Sequence, residues 1–179
     1  MVDKIQMLKA SNLGYRPLKG GKRLGKKCGY DIYLADAASW SNRYPVKEIL
    51  MIDSKKKPKT RRGEAVYRTV ASLDLSKQYG AWHVDSVQVD SRYKGKKLSI
   101  RLYCFLLKTL GITIMAGTSQ SIGGRYIWNS LVKQRGVVVF AKKSPYSKVI
   151  GFPNAGNKEL VCKNFDLYDS DAVLYAVAS

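Results

Sequence analysis

Between Trp82 and Leu110 the apolar residues change period across one short basic turn, so the stretch reads as a strand, a turn and a helix in immediate succession. Val84 to Val89 alternates in part and is rich in β-branched residues, the mark of a strand. Leu98, Leu102, Phe105, Leu106 and Leu110 then recur at spacings of three and four, the helical period. Lys94, Gly95, Lys96 and Lys97 lie between the two. A helix that starts directly after a strand presents unpaired N–H groups and the positive end of its dipole. Gly95 lets a ligand approach the backbone and the lysines add charge, so the junction suits a pyrophosphate.

The sequence upstream reads mainly as strands: Gly29 to Asp36, Glu48 to Asp53, Glu64 to Lys77 and, after a Tyr79-Gly80 turn, Ala81 to Val89. In the long third strand, Tyr67, Thr69, Ala71, Leu73 and Leu75 are expected to face the core, and Val66, Arg68, Val70, Ser72 and Asp74 the other side. Ala37 to Tyr44 suits a short helical turn. Gly111 stops the helix, Ile112 to Gly117 reads as a buried strand, and Ser119 to Gln134 as a second helix capped by Ser119 or Ser121. Val137 to Ala141 and Ala172 to Ala178 complete the strands, with a loop at Gly151 to Gly156. The fold class expected is α/β: a single domain with a mixed, mostly antiparallel central sheet flanked by helices.

Charge is the unusual part of the composition. Thirty-two Lys and Arg against 13 Asp and Glu leave a net charge of +19, which favours polyanions and makes their binding salt-dependent. Residues 1–28 read as a basic N-terminal arm or loop, and within it Lys22, Arg23, Lys26 and Lys27 are candidates for nucleic-acid contact. The segment GGKRLGKK resembles a P-loop but has neither a Ser or Thr after the lysine nor a preceding strand, so nucleotide hydrolysis is rejected. Lys55, Lys56, Lys57, Lys59, Arg61 and Arg62, broken by Pro58, form a second basic stretch that must project into solvent. It is either a solubilising loop or a finger on a phosphate backbone. Cys28, Cys104 and Cys162 are widely spaced and His83 is the sole histidine, so neither a metal site nor a disulfide framework is expected. With no apolar run near the length of a membrane span, a soluble protein of a reducing cytoplasm is expected.

The segment Val89-Asp90-Ser91-Arg92-Tyr93-Lys94-Gly95-Lys96-Lys97-Leu98-Ser99 resembles the strand-to-helix motif of GNAT-type N-acetyltransferases, V-x-P-x-x-R-G-x-G-x-G/A. Lys94 falls on the residue that opens the core motif and Gly95 on its small second residue, whereas Lys97 and Ser99 replace its two glycines. The order of elements over residues 29–179 is similar to that family, and the block from Ile112 to Leu131 is similar to GNAT-like proteins encoded by bacteriophages.

The resemblance implies acetyl-CoA as donor. It puts the backbone of Val87, Gln88 and Val89 along the pantetheine and thioester, and Lys94, Gly95, Lys96, Lys97, Leu98 and Ser99 around the pyrophosphate. His83 lies six residues before Val89, the spacing at which related enzymes carry a general-base glutamate, and its ordinary pKa suits proton removal near neutrality. Asp85 either orients it or serves in its place. Tyr126 is the candidate acid for the departing thiolate, although Trp128 stands nearer the family's tyrosine slot; Ser121 is a further polar candidate by the cofactor. The function implied is acetyl transfer to nucleic acid or to an amine on a nucleic-acid-associated protein, in a phage-infected host cytoplasm. The alternative is a non-catalytic basic protein of the same fold that binds DNA or RNA.

Overall fold

The computed structural model describes residues 13–18, 20–36, 46–116, 122–144, 146–151 and 173–179. Eleven strands make one sheet: β1 (Tyr15–Pro17), β2 (Lys22–Lys27), β3 (Tyr30–Asp36), β4 (Val46–Ile52), β5 (Lys59–Arg61), β6 (Glu64–Gln78), β7 (Ala81–Val89), β8 (Ile114–Met115), β9 (Val137–Lys142), β10 (Val149–Gly151) and β11 (Val173–Ala178). Their order is β10-β9-β11-β8-β7-β6-β4-β3-β2, with β1 and β5 both paired to the start of β6. All pairs are antiparallel except β7 with β8. Three hairpins close on residue pairs that both have positive φ, Cys28-Gly29, Arg62-Gly63 and Tyr79-Gly80. Such turns match the twist of the strands they join.

This architecture corrects the expectation of an α/β fold flanked by helices. Among the described residues about half are strand and about a fifth helix. Among the described residues there are two helices, α1 (Leu98–Leu110) and α2 (Ile122–Leu131). Neither lies opposite the other across the sheet: Leu102, Phe105 and Leu106 of α1 and Ile127, Trp128 and Leu131 of α2 share one apolar cluster with Ile49, Met51, Leu73 and Val139. Along β4, Leu50 and Ile52 alternate with Ile49 and Met51, and they join a smaller cluster on the other face with Ala35, Tyr33 and Tyr67. The β-branched and aromatic content before residue 90 and the closely spaced hairpin turns account for the predominance of strand.

Two bulges set what faces what. Met51 pairs with Ala71 and Ile52 with Thr69, so Val70 is an extra residue on β6. Val70 and Ala71 consequently both enter the helix-side core. The expected alternation of β6 therefore holds on the C-terminal side of Val70 and reverses before it. Asp74 pairs with Ser86 and Leu75 with Val84, which makes Asp85 the extra residue on β7. Residues Lys22–Lys27, expected within an arm or loop, form β2, the outermost strand on that side of the sheet. Lysines on such an edge also discourage pairing with another chain. The expected turn at Ala37 to Tyr44, the Ser119 and Ser121 caps and most of the loop at Gly151 to Gly156 lie outside the described residues. Among the described residues no helix is long and apolar enough to cross a membrane.

Candidate functional site

The parallel pair β7–β8 is joined at only two positions, Trp82 with Ile114 and His83 with Met115. Beyond His83, β7 continues to Val89 paired with β6 alone. The edge of β7 that faces β8 therefore has no strand partner from Val84 to Val89 among the described residues, and Val87, Gln88 and Val89, read as acyl-arm contacts, all lie on it. They are half-buried, Val87 and Val89 packing against the helix-side core.

The strand leads into a tight turn. Ser91–Tyr93 form one turn of 3-10 helix, Lys94 N–H donates to Ser91 O at 3.3 Å and Lys96 N–H to Tyr93 O at 3.4 Å. Gly95 and Lys97 both take left-handed backbone conformations, with φ of 79° and 54°. Lys97, which stands where the resembling motif has a glycine, thus holds a conformation that glycine favours. It is the N-cap of α1 and its side chain makes no capping bond; the first intrahelical bond runs from Arg101 N–H to Lys97 O at 3.0 Å. The N–H groups of Leu98, Ser99 and Ile100 precede that bond and have no acceptor among the described residues. Together with the exposed Lys94 and Lys97 they make an anion seat beside the edge of β7 that has no strand partner among the described residues. A diphosphate-bearing thioester fits this donor set: unpaired N–H groups and cations for the charged end, an unpaired strand edge for the amide-bearing arm.

His83 is the residue at which β7 and β8 part, and the structure brings it and Asp85 together. His83 Nδ1 lies 2.8 Å from Asp85 Oδ1 in spite of the bulge at Asp85. A carboxylate only accepts, so Nδ1 is the donor in this contact, and in the neutral ring the lone pair is on Nε2. Tyr126 is not joined to this pair. The buried face of α2 is Ile127, Trp128 and Leu131, with Trp128 edge-on to Tyr103, and Tyr126 is 57% exposed. Ser121 lies outside the described residues.

The basic candidates divide. Arg23 is paired with Asp31 on β3, Nη2 to Oδ1 2.6 Å, and Lys22, Lys26 and Lys27 line the outer strand. Lys57, Arg61 and Arg62 are exposed on the hairpin around β5. Lys55, Lys56, Lys59 and Lys96 instead converge on one cavity of about 680 Å³, together with Arg68 and Arg92. Sequence reasoning missed Arg68 and the residue that holds it, Asp90. Arg68 is 5% exposed and Asp90 fully buried, with Arg68 Nη2 2.9 Å from Asp90 Oδ2, at an angle too poor for a hydrogen bond but close enough for an ion pair. Burial raises the Asp90 carboxyl, but bonds from the Arg92 side chain and N–H, the Arg68 charge and the Gly14 N–H outweigh it and hold the pKa at about 2. A lone arginine between Val66 and Val70 of an apolar strand was the available signal.

No protein-family model matches the chain, and no curated protein matches it.

Proposed function

We propose that the protein transfers an acyl group from acyl-CoA to an amine carried by nucleic acid or by a nucleic-acid-associated protein. The observation that carries this reading is the edge of β7 from Val84 to Val89, which has no strand partner among the described residues and leads into the uncapped first turn of α1. The N–H groups of Leu98, Ser99 and Ile100, with Lys94, hold the diphosphate. The open edge of β7 at Val87 to Val89 aligns the extended arm. Acyl-CoA, when bound, would supply an activated thioester carbonyl; as the amide C–N bond forms the C–S bond breaks, and the coenzyme A thiolate leaves and takes a proton from solvent. His83 Nε2 takes the proton of the acceptor ammonium while Asp85 fixes the ring and stabilises the imidazolium. The sequence resemblance over Val89 to Ser99 supports the same donor.

Calorimetric titration with acetyl-CoA and with free coenzyme A tests the donor, with micromolar affinity expected and the absence of heat for either refuting it. His83→Gln should keep donor affinity and lower turnover by about a hundredfold or more, the usual contribution of a positioned base. Mass spectrometry after incubation with labelled acetyl-CoA identifies the acceptor.

A non-catalytic nucleic-acid binder is the second reading. It is favoured by the exposure of Tyr126, which packing leaves unpositioned as a proton donor. Donor binding with no labelled product on any acceptor would select it.

A further inference from the structure

The cavity of about 680 Å³ opens on the other side of β7 from the donor cleft. The cleft lies between β7 and β8, whereas the cavity is walled by Tyr15, Tyr30 of β3, Arg68 of β6 and the 53–56 segment after β4. Arg92, Tyr93 and Lys96, in the turn between β7 and α1, also line the cavity.

Two properties of the lining define what it takes. The first is charge: six cationic side chains face one carboxylate, Asp53. That carboxylate already accepts from Tyr93 Oη at 2.8 Å and from Lys55 N–H at 3.1 Å. The one deeply buried cation, Arg68, is fixed by Asp90 behind it, so the floor carries a positioned guanidinium whose charge is in part answered, while the lysines at the rim are exposed. The second property is aromaticity. Lys59 Nζ lies 4.6 Å from the centre of the Tyr15 ring, Lys96 Nζ 4.9 Å from that of Tyr93, and the Arg68 guanidinium 5.8 Å from each. Tyr30 stands edge-on to Tyr93, 6.3 Å between centres. A site for an inorganic anion needs the cations and not three rings, and its void need hold little more than a few waters. The observed volume is that of a site for an organic ligand.

We propose that this cavity binds a nucleoside phosphate, with the phosphate drawn to Arg68, Lys59 and Lys96 and the base laid against Tyr15 or Tyr93. Stacking on tyrosine with cations at the rim is the chemistry by which proteins hold unpaired bases. The ligand is either a free nucleotide or an unpaired nucleotide of a strand. This inference deepens the nucleic-acid half of the proposed function and does not depend on acyl transfer.

The test uses the full chain without acyl-CoA. Binding is measured by calorimetry for nucleoside mono-, di- and triphosphates, and by fluorescence anisotropy for short single-stranded oligonucleotides with and without a 5′-phosphate. Lys59→Gln and Tyr15→Leu are expected each to weaken binding by roughly tenfold. Lys133→Gln with Lys143→Gln, which removes charge away from the cavity, should change it by less than about twofold at equal ionic strength. Mononucleotides binding as tightly as oligonucleotides identifies the free nucleotide, and preference for the oligonucleotide identifies a strand. Four results would overturn the proposal: no binding of either probe, equal losses in the control pair, pyrophosphate competing as well as the nucleotide, or a phosphotyrosine peptide displacing it at lower concentration. Displacement by saturating coenzyme A would also overturn it, because the cavity would then belong to the donor. Intact coenzyme A affinity in Lys59→Gln and Tyr15→Leu keeps failure here separate from failure of the donor site.

Discussion

Replacing Asp90 with Asn is the most informative single change in the protein. The carboxylate is fully buried, and it answers the Arg68 charge, accepts from the Arg92 N–H and side chain at 3.1 Å each, and accepts from Gly14 N–H. Asn keeps the volume and loses the charge. Arg68 then remains buried without a counter-ion, a situation that costs about 3–5 kcal/mol. For a chain of this size that corresponds to a fall in Tm of about 6–20 °C. The same interaction has a pH signature. The folded pKa of about 2 lies below the ordinary 3.8, and each tenfold in proton affinity is about 1.4 kcal/mol, so the bonded carboxylate contributes about 2.5 kcal/mol. Because the folded value is depressed, that stability is complete above the unfolded pKa and is lost as pH falls from about 4 to 2. Urea unfolding between pH 7 and pH 2, wild type against Asp90→Asn, therefore shows a gap that narrows by about 2 kcal/mol on acidification. Arg68→Met in the Asp90→Asn background should recover part of the loss, since the unpaired charge goes with it. A gap below about 1 kcal/mol at pH 7, or one that stays constant with pH, would refute the account.

Three further outcomes follow from single contacts. Lys97→Gly should raise the urea unfolding free energy by about 1 kcal/mol, because φ of 54° strains any residue with a Cβ; a loss of stability would show that the lysine side chain anchors the turn. A Cβ at Gly25 would lie 3.1 Å from the Phe105 ring, so Gly25→Ala should destabilise by about 1–3 kcal/mol, with Phe105→Leu restoring part of it in the double variant; additive losses would sink the idea. Neutralising Lys55, Lys56, Lys57, Arg61 and Arg62 together should flatten the dependence of single-stranded DNA affinity on log salt by about 3–4 in slope, at about 0.7 per phosphate contact, and an unchanged slope would remove this hairpin from the interface.

What the sequence displayed and what it hid separate along the distance over which each feature is determined. Helix α1 runs from Leu98 to a left-handed Gly111, the limits its own leucine spacing and the glycine dictate, and the Tyr79-Gly80 hairpin is written in two residues. Strand β6 was visible as a strand, but the Val70 bulge is a mismatch of register with β4, and no local pattern carries it. That one residue sent Arg68 to the helix side, where it meets Asp90 and two tyrosine rings. The contact of His83 with Asp85 was legible from their spacing, whereas the extent of the β7–β8 pairing, two residue pairs among those described, depends on how far two strands distant in sequence stay parallel. The two helices were also found, yet nothing local to either says that both cover the same face, and the expectation of a flanked sheet failed on that point.

The turn after β7 binds these features into one device. Asp90 N–H donates to Val70 O at 2.9 Å, Asp90 gathers Arg68 and Arg92, and Tyr93 donates to Asp53 across the sheet end, so the backbone from Asp90 to Tyr93 is held from three directions. What emerges from that fixed base has two sides. Toward β8 it offers the unpaired N–H groups of Leu98 to Ile100; toward β6 it offers Tyr93 and Lys96 as one wall of the basic cavity. Neither side could be altered without loading the Asp90 cluster, because the residues between them are too few to flex independently. A complete ion pair buried in a small sheet protein is otherwise a poor source of stability. Here its burial is accounted for by what it anchors, a turn with a ligand-facing surface on each side.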